Sequence, residues 1–420
     1  MSRPSPVWHP FTQHAAQPDF EIAVRAEGAW IETSDGDRIL DAISSWWVTT
    51  HGHRHPRIVA AIARQAAVLD QVIFASFTHE PAERLAHKLV ELAPPGLTHV
   101  FYSDSGSTAV EVALKMALGF WANRGETRTL IAALEHGYHG DTTAAMSAGA
   151  RGLFSAPYEP MLFDVARIPF PAAGREQATL DALDATCRSG GAAALIVEPL
   201  ILGAGGMLVY PPHVLAAMAE VCARYGTLLV ADEVLTGWGR TGTLFACEQA
   251  GITPDILCTA KGLTGGALPL AATVARSEIF AAHYSNDRSR TFFHSSSYTA
   301  NPIACAAALA NIEVWETEPV IERVRTLEAA QRERLARFDR DSRFASIRQC
   351  GTVTALDVAV EDAGYLAGVG PAIARSARSR GVLLRPLGNT IYVMPPYCVT
   401  PDELDLVYDA IDAAATGHGA

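Results

Sequence analysis

The chain has 420 residues, of which 49% are hydrophobic and 19% are charged. This composition is typical of a globular protein with a large core, and it excludes a disordered or fibrous chain. The formal net charge is -12 and no block of lysine or arginine occurs, which argues against nucleic acid or an anionic membrane as a partner. We therefore expect two domains, or one large domain with an appendage.

The seven cysteines are scattered, and none belongs to a Cys-x-x-Cys pair. This pattern favours reduced, packed thiols over disulfides or a zinc site. The histidines at 51–55 and 136–139 lie in predicted loops without metal-ligand spacing, so we expect no metal. The first residues lack the apolar core of a secretion signal, and no stretch is long enough to span a bilayer. We expect a cytoplasmic protein.

The first part of the chain predicts a small sheet followed by helices. Residues 20–42 are typical of short strands, with a hairpin signal at Asp35-Gly36-Asp37. Apolar residues then recur at helical spacing from His55 to Gln71 and from Glu80 to Leu92.

Two adjacent tryptophans, Trp46 and Trp47, precede these helices. On an extended strand they would face opposite ways, so at most one of them need be in the core. Core packing is the usual role of tryptophan. The alternative is an aromatic wall for a substrate, which the glycine and histidines at 51–55 make more plausible because they indicate a loop.

From residue 97 onwards, strands alternate with helices. The segment THVFYSDSG predicts a strand, and a helix follows directly after Gly106-Ser107. A strand, a turn of small residues and a helix N-terminus together offer N–H groups and a favourable dipole to an anion such as a phosphate. An ordinary helix cap explains the same pattern equally well.

Further strands deliver polar residues to the same edge: Tyr138 after one, Glu198 after the next, and Asp232 after a third. Alternating strands and helices imply a parallel sheet with right-handed crossovers. The carboxyl edge of such a sheet is where ligands bind.

Lys261 lies between the strand-like run ILCT and a glycine-rich turn. It is either a surface lysine at a strand end, the commoner role, or an amine that forms a Schiff base with a cofactor aldehyde. Two strands, DILCTAK and PLAATVAR, flank its turn.

The region after Asn301 predicts a separate α+β unit. A long helical pattern runs to about Phe338, and a closing helix begins near residue 402. Between them, VLLRPLGNTIYVMPPY predicts a hairpin-like pair of strands that carries Arg385.

Four of these features together indicate one kind of site. A pyridoxal phosphate enzyme needs a lysine for the aldehyde, a carboxylate for the ring nitrogen, an anion cradle and an aromatic face. Lys261, Asp232, Gly106-Ser107 and Tyr138 meet these needs from one sheet edge. A metal site is the weaker competitor.

The segments DEVLTGWGRTG, AKGLTGG, SDSGSTAVEVALKMA and GYHGDT closely resemble the class III branch of fold type I pyridoxal phosphate aminotransferases. The resemblance covers nearly the whole chain and implies an α/β fold with a large, mainly parallel sheet flanked by helices, plus a smaller α+β domain. We expect an N-terminal segment 1–54 that joins the small domain, a large cofactor-binding domain 55–312, and the rest of the small domain at 313–420. The resemblance also implies a homodimer with shared active sites.

The same resemblance assigns roles to cofactor-binding residues. Asp232 would bond the pyridine nitrogen, Lys261 would hold the cofactor covalently and catalyse, and Gly106 with Ser107 would hold the phosphate. Tyr138 would stack on the ring and border the substrate. Val234 would pack on the other face, although plain core packing is equally reasonable for it.

The segments WHPFTQ, SSWW and RPLGNTIYVMPPY look like the branch that converts 8-amino-7-oxononanoate to 7,8-diaminononanoate in biotin biosynthesis. In that branch Arg385 would bind the substrate carboxylate by two parallel hydrogen bonds. Trp46 and Trp47 would line the substrate pocket. Tyr392 would lie nearby, with core packing as its alternative.

Two departures from that branch concern the substrate side. Phe11 stands where better-known members have a tyrosine, and phenylalanine has no hydroxyl to donate. In HSSSYTANP, Ser297 takes the place of a threonine that reaches the cofactor phosphate of the neighbouring subunit, while Ser295 and Ser296 occupy positions that contact substrate and cofactor. The amino donor, S-adenosylmethionine or lysine, is therefore left open.

Two other functions remain as alternatives. One is another ω-aminotransferase, acting on a diamine, 4-aminobutyrate or β-alanine. The other is a regulator or scaffold that binds the cofactor without catalysis, which the retained lysine, aspartate and phosphate loop disfavour.

Overall fold

The computed structural model describes residues 5–17 and 19–416. Its strands, in chain order, are β1 Ala23–Glu27, β2 Trp30–Thr33, β3 Arg38–Asp41, β4 Leu97–Ser103, β5 Leu130–Leu134, β6 Ala166–Ile168, β7 Ala192–Val197, β8 Ile201–Leu202, β9 Leu208–Val209, β10 Leu228–Asp232, β11 Ile256–Thr259, β12 Ala271–Arg276, β13 Phe344–Cys350, β14 Val353–Val358, β15 Val382–Leu383 and β16 Thr390–Val393.

The helical segments are α1 Ser44–Trp47, α2 Pro56–Ala66, α3 Glu80–Leu92, α4 Gly106–Asn123, α5 Thr143–Ala148, α6 Glu176–Arg188, α7 Pro212–Tyr225, α8 Cys247–Ala250, α9 Ser277–His283, α10 Pro302–Thr317, α11 Val320–Leu335, α12 Val369–Arg378 and α13 Pro401–Thr416. Short 3₁₀ turns lie at Ala156–Met161, Lys261–Thr264, Arg288–Arg290 and Ala336–Phe338. Within the described part of the chain, no helix has the length and apolar character that crossing a membrane requires.

A seven-stranded sheet with the order β4-β12-β11-β10-β7-β5-β6 forms the centre of the fold. The strands from β11 to β6 pair in parallel, and β12 runs antiparallel to β11 and β4. Every residue of β7 and β10 is buried, as expected for parallel strands covered on both faces. One face packs against α4, α5 and α9, and the other against α6 and α7. The predicted mainly parallel α/β sheet is confirmed.

Two smaller sheets lie outside the central one. Strands β1, β2, β3 and β15 form the first, and β13, β14 and β16 form the second. One hydrophobic core joins residues of the N-terminal part, such as Leu40 and Ile43, to residues of the C-terminal part, such as Val382 and Tyr408. The division of the chain at 54 and 312 stays a prediction.

Several predicted elements are confirmed. The Asp35-Gly36-Asp37 turn joins β2 and β3, which pair antiparallel with Trp30 opposite Leu40. Helix α3 spans Glu80–Leu92, and α4 begins at Gly106. Ser105 caps α4: its hydroxyl accepts from the Thr108 amide, and the Thr108 hydroxyl accepts from the Ser105 amide.

Two predicted elements were wrong. The helical pattern that was expected to run to Phe338 is interrupted between α10 and α11, because Glu318 precedes a proline and adopts an extended conformation. The hairpin around Arg385 is not a hairpin: β15 pairs with β3, whereas β16 pairs with β14 in another sheet. Pro386 follows Arg385 and cannot donate to a strand ladder, so the chain leaves one sheet there and enters the next.

Candidate active site

A cavity of about 420 Å³ opens at the carboxyl edge of the central sheet. The chain reaches it just after β4, β5, β7, β10 and β11, because parallel strands bring their carboxyl ends to one edge. The predicted site residues that line it are Phe11, Trp46, Trp47, Gly106, Ser107, Tyr138, Asp232, Val234, Lys261 and Arg385.

Lys261 is the first residue of the 3₁₀ turn that follows β11, and its backbone has a φ of 44°, in the left-handed region. Its Nζ lies 5.0 Å from the centroid of the Trp47 ring. Burial lowers the pKa of the Lys261 amine, although the carboxylates of Asp232 and Glu198 oppose the shift. A larger fraction of neutral amine makes Lys261 a better nucleophile than a surface lysine.

Asp232 ends β10 and is held at both carboxylate oxygens. Its Oδ2 is 2.7 Å from Nδ1 of His139, and its Oδ1 accepts from the Val234 amide at 3.1 Å. Both Asp232 and His139 are buried. The carboxylate is thereby fixed in orientation at the floor of the cavity.

The N-terminus of α4 packs tightly against the loop after β5. The amide of Asp141 donates to the Ser107 hydroxyl, and Gly140 is so close that a Cβ there would overlap the same oxygen. A Cβ on Gly106 would lie 2.5 Å from Val234 Cγ1, so a side chain there would force Val234 to move. The first N–H groups of the 18-residue helix α4 have no acceptor within the helix, and they favour an anion.

Tyr138 and Glu198 form one wall. The Tyr138 amide donates to Glu198 Oε1 and the Gly203 amide donates to Oε2, both at 2.9 Å. Burial raises the pKa of Glu198 to about 7, and the neighbouring Asp232 adds to this rise. Burial also raises the pKa of Tyr138, so its hydroxyl stays protonated.

The paired tryptophans lie in α1, whose backbone departs from helical geometry at Ser45 and Trp46, and not on a strand. Ser44, Ser45 and Trp47 all have positive φ values, of 52°, 58° and 67°. As a result Trp47 is buried, with its indole N–H donating to the Tyr392 hydroxyl at 2.9 Å, while Trp46 is 44% exposed. Tyr392 contacts Trp47 from behind and does not border the cavity.

Arg385 lies at the mouth of the cavity between two aromatic rings. Its guanidinium carbon is 4.4 Å from the Trp46 ring centroid and 5.8 Å from that of Phe11. Such stacking favours a cation and leaves the guanidinium edge free for a carboxylate.

The rim continues through aromatic residues that the sequence did not point to. Phe154 meets the Phe11 ring edge-on at 5.8 Å, and Tyr365 meets Phe154 at 4.5 Å. Both come from irregular segments, so no periodicity or motif marked them. His139 and Glu198 were located at strand ends, but their contacts with Asp232 and Tyr138 have no signature in the sequence.

The chain matches the family model "Aminotransferase class-III" over residues 11–415. The chain belongs to the class III aminotransferase family. It is therefore an enzyme that transfers amino groups.

Class III relatives align over nearly the whole chain. A protein of Synechococcus elongatus named adenosylmethionine-8-amino-7-oxononanoate aminotransferase is 47% identical over 414 residues, covering 96% of this chain and 97% of the relative. A Geobacter sulfurreducens protein of the same name is 38% identical, covering 97% and 94%.

Two solved aminotransferase structures superpose closely on the chain. An enzyme of the same name from Methanocaldococcus jannaschii has a TM-score of 0.92 at 33% identity, covering 97% of each chain. An amine transaminase from an uncultivated Pseudomonas species, solved in its PLP-bound internal aldimine form, has a TM-score of 0.93 at 34% identity, covering 99% of each chain.

The groups in the cavity fit the cofactor of class III aminotransferases. An amine, an oriented carboxylate, a helix N-terminus and a half-buried tyrosine ring match the aldehyde, ring nitrogen, phosphate and ring face of pyridoxal phosphate. The buried Nε2 of His139 has no hydrogen-bond partner in the described part of the chain. This nitrogen can therefore still form a hydrogen bond beside the Asp232 carboxylate.

The serine segment of this class III chain lies at the edge of the site. Ser296 donates a hydrogen bond to the carboxylate of Asp104, which borders the cavity. Ser295 and Ser297 are exposed, and the Ser297 carbonyl accepts from the Gln71 side chain at 2.7 Å. In the described part of the chain none of the three borders the cavity, and their predicted contacts with substrate and cofactor stay predictions.

Proposed function

We propose that this class III aminotransferase binds pyridoxal 5'-phosphate and converts 8-amino-7-oxononanoate to 7,8-diaminononanoate, a step of biotin biosynthesis, with S-adenosylmethionine as the amino donor. The observation that carries the proposal is the arrangement of one cavity: Lys261 and Asp232 lie on its floor, and the stacked Arg385 lies at its mouth. The names of the relatives supply the substrates.

When bound, pyridoxal phosphate supplies an aldehyde that captures amines and a ring that accepts electrons. Asp232 would hold a proton on the ring nitrogen, because its carboxylate is oriented by His139 and by the Val234 amide. The N-terminus of α4, with Gly106 and Ser107, would bind the phosphate.

Lys261 would hold the cofactor at rest and then act as general base and general acid. When it is not bonded to the cofactor, the Lys261 amine would take a proton from the substrate and return it, because its side chain borders the cavity. The lowered pKa of Lys261 suits this role because the neutral form is the base.

Arg385 would bind the carboxylate of the oxononanoate chain. The partly exposed rings of Trp46 and Phe11 flank the guanidinium in the same cavity that Lys261 borders. A long aliphatic acid would thus place its carboxylate at the mouth and its keto carbon near Lys261. The aromatic rim and Trp47 would cover the apolar chain and exclude water.

A second candidate keeps the acceptor but takes lysine as the donor. Phe11 favours it, since the ring at that position has no hydroxyl to hydrogen-bond a donor. Another class III ω-aminotransferase activity is a further alternative, and the superposable amine transaminase is consistent with it.

We also propose a homodimer with shared active sites. Segments 70–77 and 293–301 lie side by side, joined by hydrogen bonds from Gln71 to Ser297 and from Asn301 to the carbonyl of Asp70. They expose four large apolar side chains, each more than 60% accessible, which favours burial against a second copy. These side chains are Ile73, Phe77, Phe293 and Tyr298. A cytoplasmic location belongs to the same proposal, supported by seven free cysteines.

The test is to mix purified protein with 8-amino-7-oxononanoate and either S-adenosylmethionine or lysine, and to measure 7,8-diaminononanoate. Product with S-adenosylmethionine supports the proposal, and product with lysine alone selects the second candidate. Turnover of only a diamine, 4-aminobutyrate or β-alanine would replace it with another ω-aminotransferase. If no amine reacts although borohydride fixes the cofactor, the protein binds without catalysis. Lys261→Ala is the inactive control.

A further inference from the structure

Asn311 lies in the middle of α10 and is completely buried against the turn that carries Lys261. Its side-chain nitrogen donates to two backbone carbonyls, those of Gly262 and Leu263, each at 3.1 Å. These are the two residues that follow Lys261. One buried carboxamide therefore binds the backbone immediately beside the candidate catalytic amine.

The orientation of this carboxamide follows from its partners. Carbonyl oxygens only accept, so the nitrogen of Asn311 must face Gly262 and Leu263. Its Oδ1 then faces Nε2 of His51 at 2.9 Å, and that nitrogen must donate. Both the nitrogen and the oxygen of the Asn311 side chain are therefore hydrogen-bonded to groups on two other segments.

His51 acts as a neutral donor. It is 6% exposed, and rings of Trp315 and Tyr397 pack edge-on against it. Burial lowers the pKa of His51 to about 4, so the imidazole is uncharged near neutral pH. The proton therefore resides on Nε2, and Nδ1 has no partner among the described residues.

The turn requires such a support because its backbone is strained. Lys261 has a φ of 44°, in the left-handed region, which is unfavourable for a residue other than glycine. Gly265, just after the turn, also lies close to Asn311 and His51: a Cβ on Gly265 would lie 3.2 Å from Asn311 Oδ1. Strain of this kind persists only where surrounding contacts hold it.

We propose that Asn311, oriented by His51, is a positioning residue that holds the Lys261 turn so that the amine points into the cavity. His51 belongs to the same N-terminal segment as Trp47, whose ring borders the Lys261 amine. Asn311 and His51 thus also connect the segment that carries Trp47 to the turn that carries Lys261. The inference rests on the proposed function, because the experiment that tests it measures the absorbance of pyridoxal phosphate bonded to Lys261.

The experiment compares Asn311→Leu, which has a similar volume and no donor, with Gln331→Leu. Gln331 is the matched control, since it is also a completely buried amide that bonds a backbone carbonyl, that of Thr352, but it lies in the C-terminal core. The measurements are the pH titration of the absorbance of lysine-linked pyridoxal phosphate, the rate of cofactor release, and kcat and KM.

We expect Asn311→Leu to shift the midpoint of the absorbance titration by about one pH unit or more and to lower kcat about tenfold or more, with KM changed less than kcat. Gln331→Leu should lower the thermal midpoint and leave the absorbance titration unchanged. His51→Leu should shift the titration in the same direction, and His51→Gln, which keeps a donor, should restore part of it.

Two results would overturn the inference. One is an unchanged absorbance titration in both Asn311→Leu and His51→Leu; if Asn311→Leu does not fold, the result for His51→Leu decides. The other is a wild-type protein without lysine-linked cofactor absorbance, which would refute the proposed function as well. The wild-type spectrum therefore separates failure of the inference from failure of the function.

Discussion

Nδ1 of His139 lies 2.7 Å from Oδ2 of Asp232, and both side chains are buried beneath the cavity. The two residues come from different strand ends, 93 positions apart in the chain. The imidazole gives the carboxylate a fixed hydrogen-bonding neighbour. Asp232 would then keep one orientation toward the ring nitrogen of bound pyridoxal phosphate.

Replacing His139 with leucine should lower kcat about tenfold to a hundredfold, since a hydrogen bond to a charged group contributes roughly 1.5–3 kcal/mol. The expected cause is a carboxylate that loses its buried hydrogen-bond partner and is less well oriented. Steady-state kinetics together with the cofactor absorbance spectrum measure the effect.

The matched control for that substitution is His99→Leu. His99 stacks on Phe280, away from the cavity, with ring centroids 4.0 Å apart. It should leave both kinetics and spectrum unchanged. Equal kcat in the wild type and the His139 variant would show that the contact has no catalytic consequence.

Arg385→Ala should chiefly raise KM for 8-amino-7-oxononanoate, by about tenfold to a hundredfold, because the substrate carboxylate loses a charged partner. Arg385→Lys should recover only part of the affinity, because an ammonium cannot form two parallel hydrogen bonds or stack as a plane between Trp46 and Phe11. Initial rates at varied acceptor concentration measure both variants.

Arg378→Ala serves as the control for the loss of an arginine. Arg378 pairs with Glu21 at the surface, at 2.6 Å, and does not border the cavity. An acceptor KM that stays at the wild-type value in Arg385→Ala would eliminate the carboxylate clamp.

The floor of the cavity could be predicted from the sequence for a topological reason. Lys261, Tyr138 and Gly106 each follow a strand and Asp232 ends one, and parallel strands deliver their ends to one edge whatever the details of packing. The fold class followed from the same alternation of strands and helices.

The supporting contacts could not be predicted, because they depend on how distant segments pack. Nothing in the sequence pairs His139 with Asp232, or Asn311 with the turn after Lys261. The conformation around Trp47 was equally hidden, since its positive φ arises from the irregular turn and not from local propensity. The assumed hairpin near Arg385 failed similarly, because strand composition does not specify which sheet a strand joins.

The pKa of Glu198 predicts a pH dependence of stability. Burial raises this pKa from 4.5 to about 7 in the folded protein, so the folded state binds the proton more tightly than the unfolded state. The contribution of Glu198 to the free energy of unfolding is therefore present in full below pH 4.5 and is lost as the pH rises to about 7. The loss is at most a few kcal/mol.

Glu198→Gln removes this titration. Glutamine can accept from only one of the two amides, Tyr138 or Gly203, so the variant should be less stable overall. Urea unfolding at several pH values should show the stability advantage of the wild type shrinking between pH 4.5 and 7. An advantage that is constant over this range would mean that Glu198 is ionised throughout.

Gly140→Ala tests whether the loop after β5 and the N-terminus of α4 together form the phosphate site. Gly140 has a φ of 132°, and an added Cβ would overlap the hydroxyl of Ser107. The loop or the helix end must then move, and overpacking of this kind costs about 1–3 kcal/mol. We expect pyridoxal phosphate to bind about tenfold more weakly, measured by titrating the apo protein and following absorbance.

Gly125→Ala is the control, since Gly125 also has a positive φ, of 76°, but an added Cβ there would meet nothing within 4 Å. Gly125→Ala should introduce backbone strain but leave the affinity for pyridoxal phosphate unchanged. If Gly140→Ala and Gly125→Ala bind pyridoxal phosphate equally well, the phosphate site lies elsewhere.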